Sequence, residues 1–305
     1  GIVMEAFKRG CIDPKFVMML AVDEADHMLQ ANLGEQTAFI RSRLSANVKV
    51  TLFSATFPDA VKDFADKVAP DARKITLKQS EVVLKRITQL TCRTDAAHSK
   101  FDIIDAVFSS ISIGQTIIFA NSKMTCEELT RDLVRAGHMV SILHGDIDRE
   151  DRDRVIDAFT QGKTRVLVTT NVLARGIDVM QVSLVINHDV PLHHKTGDAD
   201  GKDDGDADTE TYIHRIGRTA RFGRSGVALN LIGSDAEMMM LDNIMCELGC
   251  EPQEISFSDI GELDTMLREC RRRDEENIRR LGLENAKHTA LAENSQSIVP
   301  ESRQI

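Results

Sequence analysis

No stretch of this sequence approaches the ~20 consecutive apolar residues that a membrane-spanning helix requires. No membrane association is expected. The first residues, Gly1 to Glu5, hold neither a basic patch nor a small-residue cleavage site, so no signal peptide is legible. Cysteine is sparse: Cys11, Cys92, Cys126, Cys246, Cys250 and Cys270 are scattered and form no C-x-x-C pair. That spacing argues against zinc sites and disulfide frameworks and fits a reducing compartment, cytosol or nucleus. Positive charge is also short. At a net charge of −10 the chain as a whole is not a nonspecific polyanion binder, and contact with nucleic acid would need a local basic groove. A phosphate-cradling loop, G-x-x-x-x-G-K-[ST], is missing as well. Gly162-Lys163-Thr164 imitates its last letters, but Asp157 stands where the first glycine belongs, on a helix with a strand to follow. Gly162 reads instead as a helix-ending glycine.

What is present is a chain of 305 residues, enough for about two domains, with 42% hydrophobic and 28% charged residues, the balance of a soluble globular protein. Short apolar strands alternate with helical patterns, which indicates parallel sheets covered by helices on both faces. Buried strands are expected at Met18 to Val22 and Val48 to Phe53, then at Thr116 to Phe119, Val140 to Leu143, Val166 to Thr169, Ser183 to Asn187 and Val227 to Ile232. Helices fall at Thr125 to Arg135, with Leu129 and Leu133 on one face, and at Arg149 to Gln161, with Val155, Ile156 and Phe159 turned inward. A third, around Met238 to Leu248, carries methionines (Met238, Met239, Met240, Met245) expected to fill the core. Residues 79–91 are polar and weakly patterned and read as a linker; residues 195–209, rich in Gly and Asp, read as a flexible surface insertion. An EF-hand there would place Lys202 and Thr211 at ligand positions, so no calcium site is expected, and His193-His194 beside it reads as solvated loop rather than metal site. From residue 263 the chain is charged and reads as a solvated helix fading into disorder.

The first chemical motif, Val22-Asp23-Glu24-Ala25-Asp26, closes a strand, where open α/β sheets place ligands. An acid there can hold Mg²⁺ in a P-loop ATPase while its neighbour positions the attacking water. Four letters alone would equally describe an acidic turn capping a helix, with Asp26 at its start. The neighbours decide. Ser54-Ala55-Thr56 ends the next strand; Thr170 to Asp178 reads T-N-V-L-A-R-G-I-D; His214 to Arg221 reads H-R-I-G-R-T-A-R. In the last of these, His214, Arg218 and Arg221 are expected on one face of a short helix, where two guanidiniums can neutralise charge on a γ-phosphate.

This ordered set resembles the DEAD-box family of RNA helicases over roughly residues 1–262. The resemblance implies two RecA-like α/β domains with the ATP site between them. The first would be incomplete at residues 1–78, followed by the linker at 79–91, a second domain at 92–262 and the tail at 263–305. The chain starts shortly before the acidic motif and with Gly1, so an upstream part is expected, and the 305 residues alone are expected not to hydrolyse ATP. By the same resemblance ATP and Mg²⁺ are the cofactors. Asp23 acts on the metal through water, Glu24 acts on the nucleophile, and His214, Arg218 and Arg221 complete the catalytic set. Asp178 touches the ribose and Gly176 lies near the nucleotide. Ser54 and Thr56 link hydrolysis to strand separation, Asp26 shares the coupling role and Arg175 helps couple the two domains, while Thr170, Ser122 (in Ile118 to Lys123) and Arg152 hold the RNA backbone without reading its sequence. One departure stands out: the family's Q-x-x-R after Leu143-His144-Gly145-Asp146 is here Arg149-Glu150-Asp151-Arg152.

Within the family, Ile12 to Lys15, Phe53 to Phe57, Lys67 to Asp71, Thr169 to Val172 and the lengthened segment between Asp189-Val190-Pro191 and Glu210-Thr211-Tyr212 resemble the mRNA-export helicases of the nuclear pore. That subfamily implies a monomer working at the pore, in cytoplasm or nucleus, with a nucleoporin and an inositol-phosphate-assisted export activator as partners. Two rivals differ in class. A non-catalytic adaptor would bind RNA or protein through the second domain, and a P-loop upstream of Gly1 would discriminate against it. A DNA helicase would be told apart by unwinding matched RNA and DNA duplexes.

Overall fold

A computed structural model describes residues 2–30, 33–54, 57–76, 86–110, 114–171, 182–193, 206–220 and 224–296. The chain divides into two compact units, Gly1–Glu81 and Val82–Ile305. Among the described residues no helix is long and apolar enough to cross a membrane.

In the first unit α1 (Ile2–Lys8) precedes β1 (Met19–Val22), α2 (Ala25–Gln30), α3 (Gly34–Arg43), β2 (Lys49–Leu52) and α4 (Asp59–Val68). β1 and β2 pair in parallel, with Met19 opposite Lys49 and Val22 opposite Leu52. Helix α4 places Val61, Phe64 and Val68 on one stripe, and these pack with Val22 and Ala25 against Leu20, Val50 and Leu52. Each such side chain contributes about 1.5–3 kcal/mol when fully withdrawn from water. The expectation that both strands are buried needs correction. Met18 is 83%, Met19 57% and Phe53 59% exposed. Side chains alternate across a strand, so Leu20 and Val22 meet α4 while Met19 and Ala21 point the other way, where no described element of this unit covers them.

The second unit is built on a seven-stranded sheet in the order β5-β6-β4-β7-β8-β3-β9, with every pairing parallel. The strands are β3 (Ile87–Arg93), β4 (Gln115–Phe119), β5 (Val140–Leu143), β6 (Val166–Thr169), β7 (Val182–Asn187), β8 (Gly226–Ile232) and β9 (Gln253–Ile255). Helices α5 (Lys100–Ser110), α6 (Lys123–Arg135) and α10 (Ile260–Gln296) cover one face, as the joint burial of Ile103, Leu129, Ile186, Leu229 and Leu267 shows. The other face carries α7 (Arg149–Thr160), with Phe159 buried against β4 and β6 residues. Beside it lie α8 (Thr209–Ile216) and α9 (Asp235–Leu248). The α/β class with helix-covered parallel sheets is as expected, and β5 and β6 fall at the expected residues.

Four expectations change here. Residues 87–91 are not linker but most of β3, a strand held between β8 and β9. A strand buried on both faces shows no alternation, and Thr88, Gln89 and Thr91 hide its apolar character. Gln89 sits inside because its amide is bonded: Tyr212 donates its hydroxyl to Oε1 at 2.8 Å, and Nε2 faces Cys250 Sγ at 3.7 Å. The tail does not begin at 263. Ile260, Leu263, Leu267 and Cys270 form the buried stripe of α10, spaced three and four residues apart, and belong to the domain core. The end of the expected insertion is ordered: Leu192 and Ala207 form an antiparallel bridge, and Asp208 caps α8 by accepting the Thr211 N–H at 2.8 Å. Residues 194–205 lie outside the described residues. Of the four methionines, Met245 is buried and Met238 and Met240 pack partly, but Met239 is 69% exposed, because three consecutive helical positions cannot share one face.

Candidate functional site

In the first unit the end of β1 carries the acidic motif. Asp23 is exposed and its Oδ1 accepts the N–H of Glu24 at 2.9 Å. Glu24 adopts φ +50°, a left-handed conformation that costs a non-glycine residue about 1–3 kcal/mol and persists where the surroundings over-determine it. The chain is fixed on either side. Phe53 donates its N–H to Val22 O at 2.8 Å, Ala25 donates to Phe53 O at 3.1 Å, and Asp26 donates to Ser54 Oγ at 3.1 Å. The last of these bonds joins two residues expected to share a coupling role, Asp26 being 3% exposed. Asp26 thus lies inside the first turn of α2 rather than capping it. An exposed carboxylate at a strand end fits a magnesium ion, which keeps most of its water and takes one or two protein carboxylates. Thr56 lies outside the described residues.

In the second unit the expected RNA contacts gather along the carboxyl rim of three adjacent strands, β5, β6 and β4. Ser122 follows β4 and caps α6, its Oγ accepting the Thr125 N–H at 3.0 Å and lying 2.7 Å from Thr125 Oγ1. Thr170 follows β6, with its N–H 3.4 Å from Leu143 O at the end of β5. Arg152 stands in the first turn of α7, and its Nε is buried without a hydrogen-bond partner among the described residues. Lys123, next to Ser122, donates to Asp146 at 2.5 Å. Both groups are exposed, so this pair contributes little to stability.

The H-R-I-G-R segment corrects the single-face helix. Helix α8 ends at Ile216 and Gly217 caps it, so only His214 is helical; Arg218 lies in the turn beyond. Arg218 nevertheless stays near His214, donating from Nε to His214 O at 3.1 Å, and is 7% exposed. A β-carbon on Gly217 would lie 2.9 Å from Ile213 O, which makes the tight exit from α8 a glycine position. His214 is 8% exposed; its Nε2 is 3.7 Å from Glu210 Oε1 and makes no hydrogen bond among the described residues. Arg175, Gly176, Asp178 and Arg221 lie outside the described residues.

The residue without an expected role is Arg215. It is fully buried, yet its guanidinium has three acceptors. Nε and Nη2 donate to Asn171 Oδ1 at 2.8 and 2.6 Å, Nη2 also to Asn121 Oδ1 at 2.8 Å, and Nη1 to Asp189 O at 2.7 Å. Its Cζ stands 5.3 Å from the centroid of the Phe119 ring. Burial draws the Arg215 pKa down to about 10, which leaves it charged at neutral pH. Burial pushes Asp189 upward, but bonds from His188 and the Asn121 N–H and the charge of Lys100 outweigh it, so its carboxyl ends well below the usual range. Lys100 closes this network, donating to His188 O at 2.6 Å and Glu237 Oε1 at 2.8 Å. One signal was available in the sequence. Tyr212, Arg215 and Ile216 are spaced as one buried helical stripe, so an arginine three residues after a buried tyrosine must be internally paired.

The comparisons agree with this geometry. Residues 4–64 match the model of the DEAD/DEAH box helicases and residues 99–223 that of the helicase conserved C-terminal domain. The chain is 42% identical over 269 residues to the ATP-dependent RNA helicase DBP5 of Ajellomyces capsulatus, covering 88% of this chain and 53% of the relative. The structure of S. cerevisiae Dbp5 bound to RNA and ADP BeF3 superimposes with a TM-score of 0.74 at 38% identity, covering 88% of this chain and 67% of that one. A further S. cerevisiae Dbp5 structure, bound to Nup159, Gle1, IP6 and ADP, gives a TM-score of 0.62 at 35% identity, with coverages of 88% and 68%. The chain belongs to the DEAD-box helicase family. It spans about half the length of the curated relatives it matches.

Proposed function

We propose that this chain works within an ATP-dependent RNA helicase that remodels RNA–protein complexes during mRNA export. The observation that carries the reading is the rim on which Ser122, Thr170 and Arg152 follow three adjacent strand ends, two of which, those of β4 and β6, are tied through Asn121, Asn171 and Arg215 to the helix that bears His214. Hydroxyl and guanidinium groups on such a rim suit a sugar-phosphate backbone, which any RNA sequence presents.

Asp23 would hold Mg²⁺ through water and Glu24 would orient the attacking water. Arg218 and Arg221 would neutralise charge on the γ-phosphate, with His214 beside them. Asp178 would contact the ribose and Gly176 lie near the nucleotide. Bound ATP and Mg²⁺ supply the cleavable anhydride and the charge that offsets its phosphates. Arginines in this role raise the rate by ~10³–10⁵, or about 4–7 kcal/mol of barrier. Ser54, Thr56, Asp26 and Arg175 would pass the consequence of hydrolysis to the RNA contacts. The relative solved with Nup159, Gle1 and IP6 supports a nucleoporin and an export activator as partners, and with them a place at the nuclear pore. We take the working form to be a monomer.

The test uses the product of the complete coding sequence and, beside it, the 305-residue chain. The complete product should show RNA-stimulated ATP turnover that falls by at least ~10²-fold in Glu24→Gln, the scale of a lost general-base contribution. The 305-residue chain should show none. Turnover that ignores Glu24→Gln would sink the assignment.

A further inference from the structure

Resting on the reading just given, we infer that Arg215 is a positioning residue: one buried guanidinium ties two RNA-contact strand ends to the nucleotide-facing helix, so that each ligand senses the other within the second unit.

The geometry behind this is specific. Asn121 precedes Ser122 at the end of β4, and Asn171 follows Thr170 at the end of β6. Their side-chain oxygens take three of the four Arg215 bonds, at 2.6–2.8 Å. Arg215 sits between His214 and Ile216 in the last turn of α8, three residues before Arg218. Each RNA-contact hydroxyl is thus one residue from an Arg215 acceptor, and His214 and Arg218 are one and three residues from Arg215 itself. Asn121 is fixed in turn: its N–H donates to Asp189 Oδ2 at 2.8 Å and its Nδ2 to Val190 O at 2.7 Å. With Asn121 held by Asp189 and Val190 and Asn171 by Arg215, a shift of Thr170 or Ser122 must either break a charge-assisted bond at a fully buried guanidinium or carry Arg215 and α8 with it. Breaking such a bond is costly, because its donor is charged. A planar fork is needed, because a lysine ammonium cannot reach Asn121, Asn171 and Asp189 O together. Arg215 touches neither ligand in this account.

The experiment measures coupling rather than activity. With the product of the complete coding sequence, the Kd for a single-stranded RNA is measured with and without a non-hydrolysable ATP analogue, and the ratio of the two is the coupling factor. Arg215→Lys should bring that ratio down at least ~tenfold, within the range of typical coupling energies, while each ligand alone binds within threefold of wild type. Asn171→Ala should lose part of the coupling, and Asn171→Asp, which keeps an acceptor, should retain it. A purely structural role predicts something else: a lower melting temperature, both affinities weakened in parallel and an unchanged ratio. That result overturns the inference. If Arg215→Lys does not fold, the Asn171 pair decides, and an undiminished ratio in Asn171→Ala overturns it equally. A wild-type ratio of one overturns the helicase reading and this inference with it.

Discussion

Gly226 is the first residue of β8, paired with Ile87 of β3, and it faces Thr219, the residue after Arg218. A β-carbon at Gly226 would overlap Thr219 Oγ1 outright and lie 2.6 and 2.7 Å from Thr219 Cγ2 and Cβ. All three side-chain atoms are therefore in the way. Thr219 has no room to retreat: it is 2% exposed and its Oγ1 donates to Val182 O at 3.1 Å. Gly226→Ala must displace a buried threonine or bend β8 away from β3. Overpacking of this kind costs about 1–3 kcal/mol, and the hydrogen bond to Val182 O adds about 1 kcal/mol if it breaks. A destabilisation of about 2–4 kcal/mol is expected from these two sources together. The chain has one tyrosine and no tryptophan, so intrinsic fluorescence reports Tyr212 alone, fully buried in the same unit. Urea unfolding followed by that signal should show the midpoint fall. Thr219→Ala on the Gly226→Ala background should recover part of the loss, since it removes two of the three offending atoms. A single Gly226→Ala variant within 0.5 kcal/mol of wild type, the usual scatter of a neutral surface change, would refute the packing argument.

Two further outcomes follow from the hydrogen bonding. Ser54→Ala removes the acceptor of the Asp26 N–H and leaves a donor in a residue that is 3% exposed. The first unit should lose about 1–3 kcal/mol, and in the complete product duplex unwinding should fall further than ATP turnover; equal losses would remove the coupling role. The Asp189 carboxyl titrates below the ordinary value of 3.8 in the folded chain. A depressed carboxyl stabilises the fold above its unfolded pKa, so its contribution is intact above that value and fades as the pH falls through the folded one. The urea midpoint of the Tyr212 signal should drop between pH 5 and pH 2.5, taken as roughly the span across which a paired aspartate loses its contribution, and drop less in Asp189→Asn. Parallel curves for the two proteins would count against it.

The parts of the fold that were legible are those where chemistry and burial coincide. β5 and β6 show as short unbroken apolar runs, and α6 shows Leu129 and Leu133 at helical spacing. β3 failed because an interior strand of a large parallel sheet tolerates polar residues once each has a partner. Tyr212 satisfies Gln89, and Asn230 bonds Leu90 O at 3.0 Å and Asn187 at 2.8 Å. Such partners are 43 to 140 residues distant in sequence, and no local window contains them. α10 failed for a different reason. Its stripe at 260, 263, 267 and 270 obeys helical spacing, but the charge density around Arg271 to Glu276 outweighed it. Beyond this stripe one specific tie continues, from Asp274 Oδ1 to the N–H of Ser225 at 2.6 Å. The charged stretch is therefore partly anchored to the start of β8.

The candidate site divides along the same line. Motif letters single out Asp23, Glu24, Ser122, Thr170, Arg152, His214 and Arg218 without any knowledge of contacts, and the structure puts each near a strand end or helix turn. What letters do not carry is how such groups are held. Arg215 has the same letter as Arg218 and a different task, and the difference lies in its surroundings: three oxygen acceptors, an aromatic face and no solvent. A buried guanidinium stripped of its partners is destabilising by about 3–5 kcal/mol, so its acceptors are constrained as tightly as the arginine. Asn121 and Asn171 are therefore not spacers between functional letters. They are the residues through which a change at the rim must reach α8, and that is why the spacing of the motifs, as much as their composition, defines this second unit.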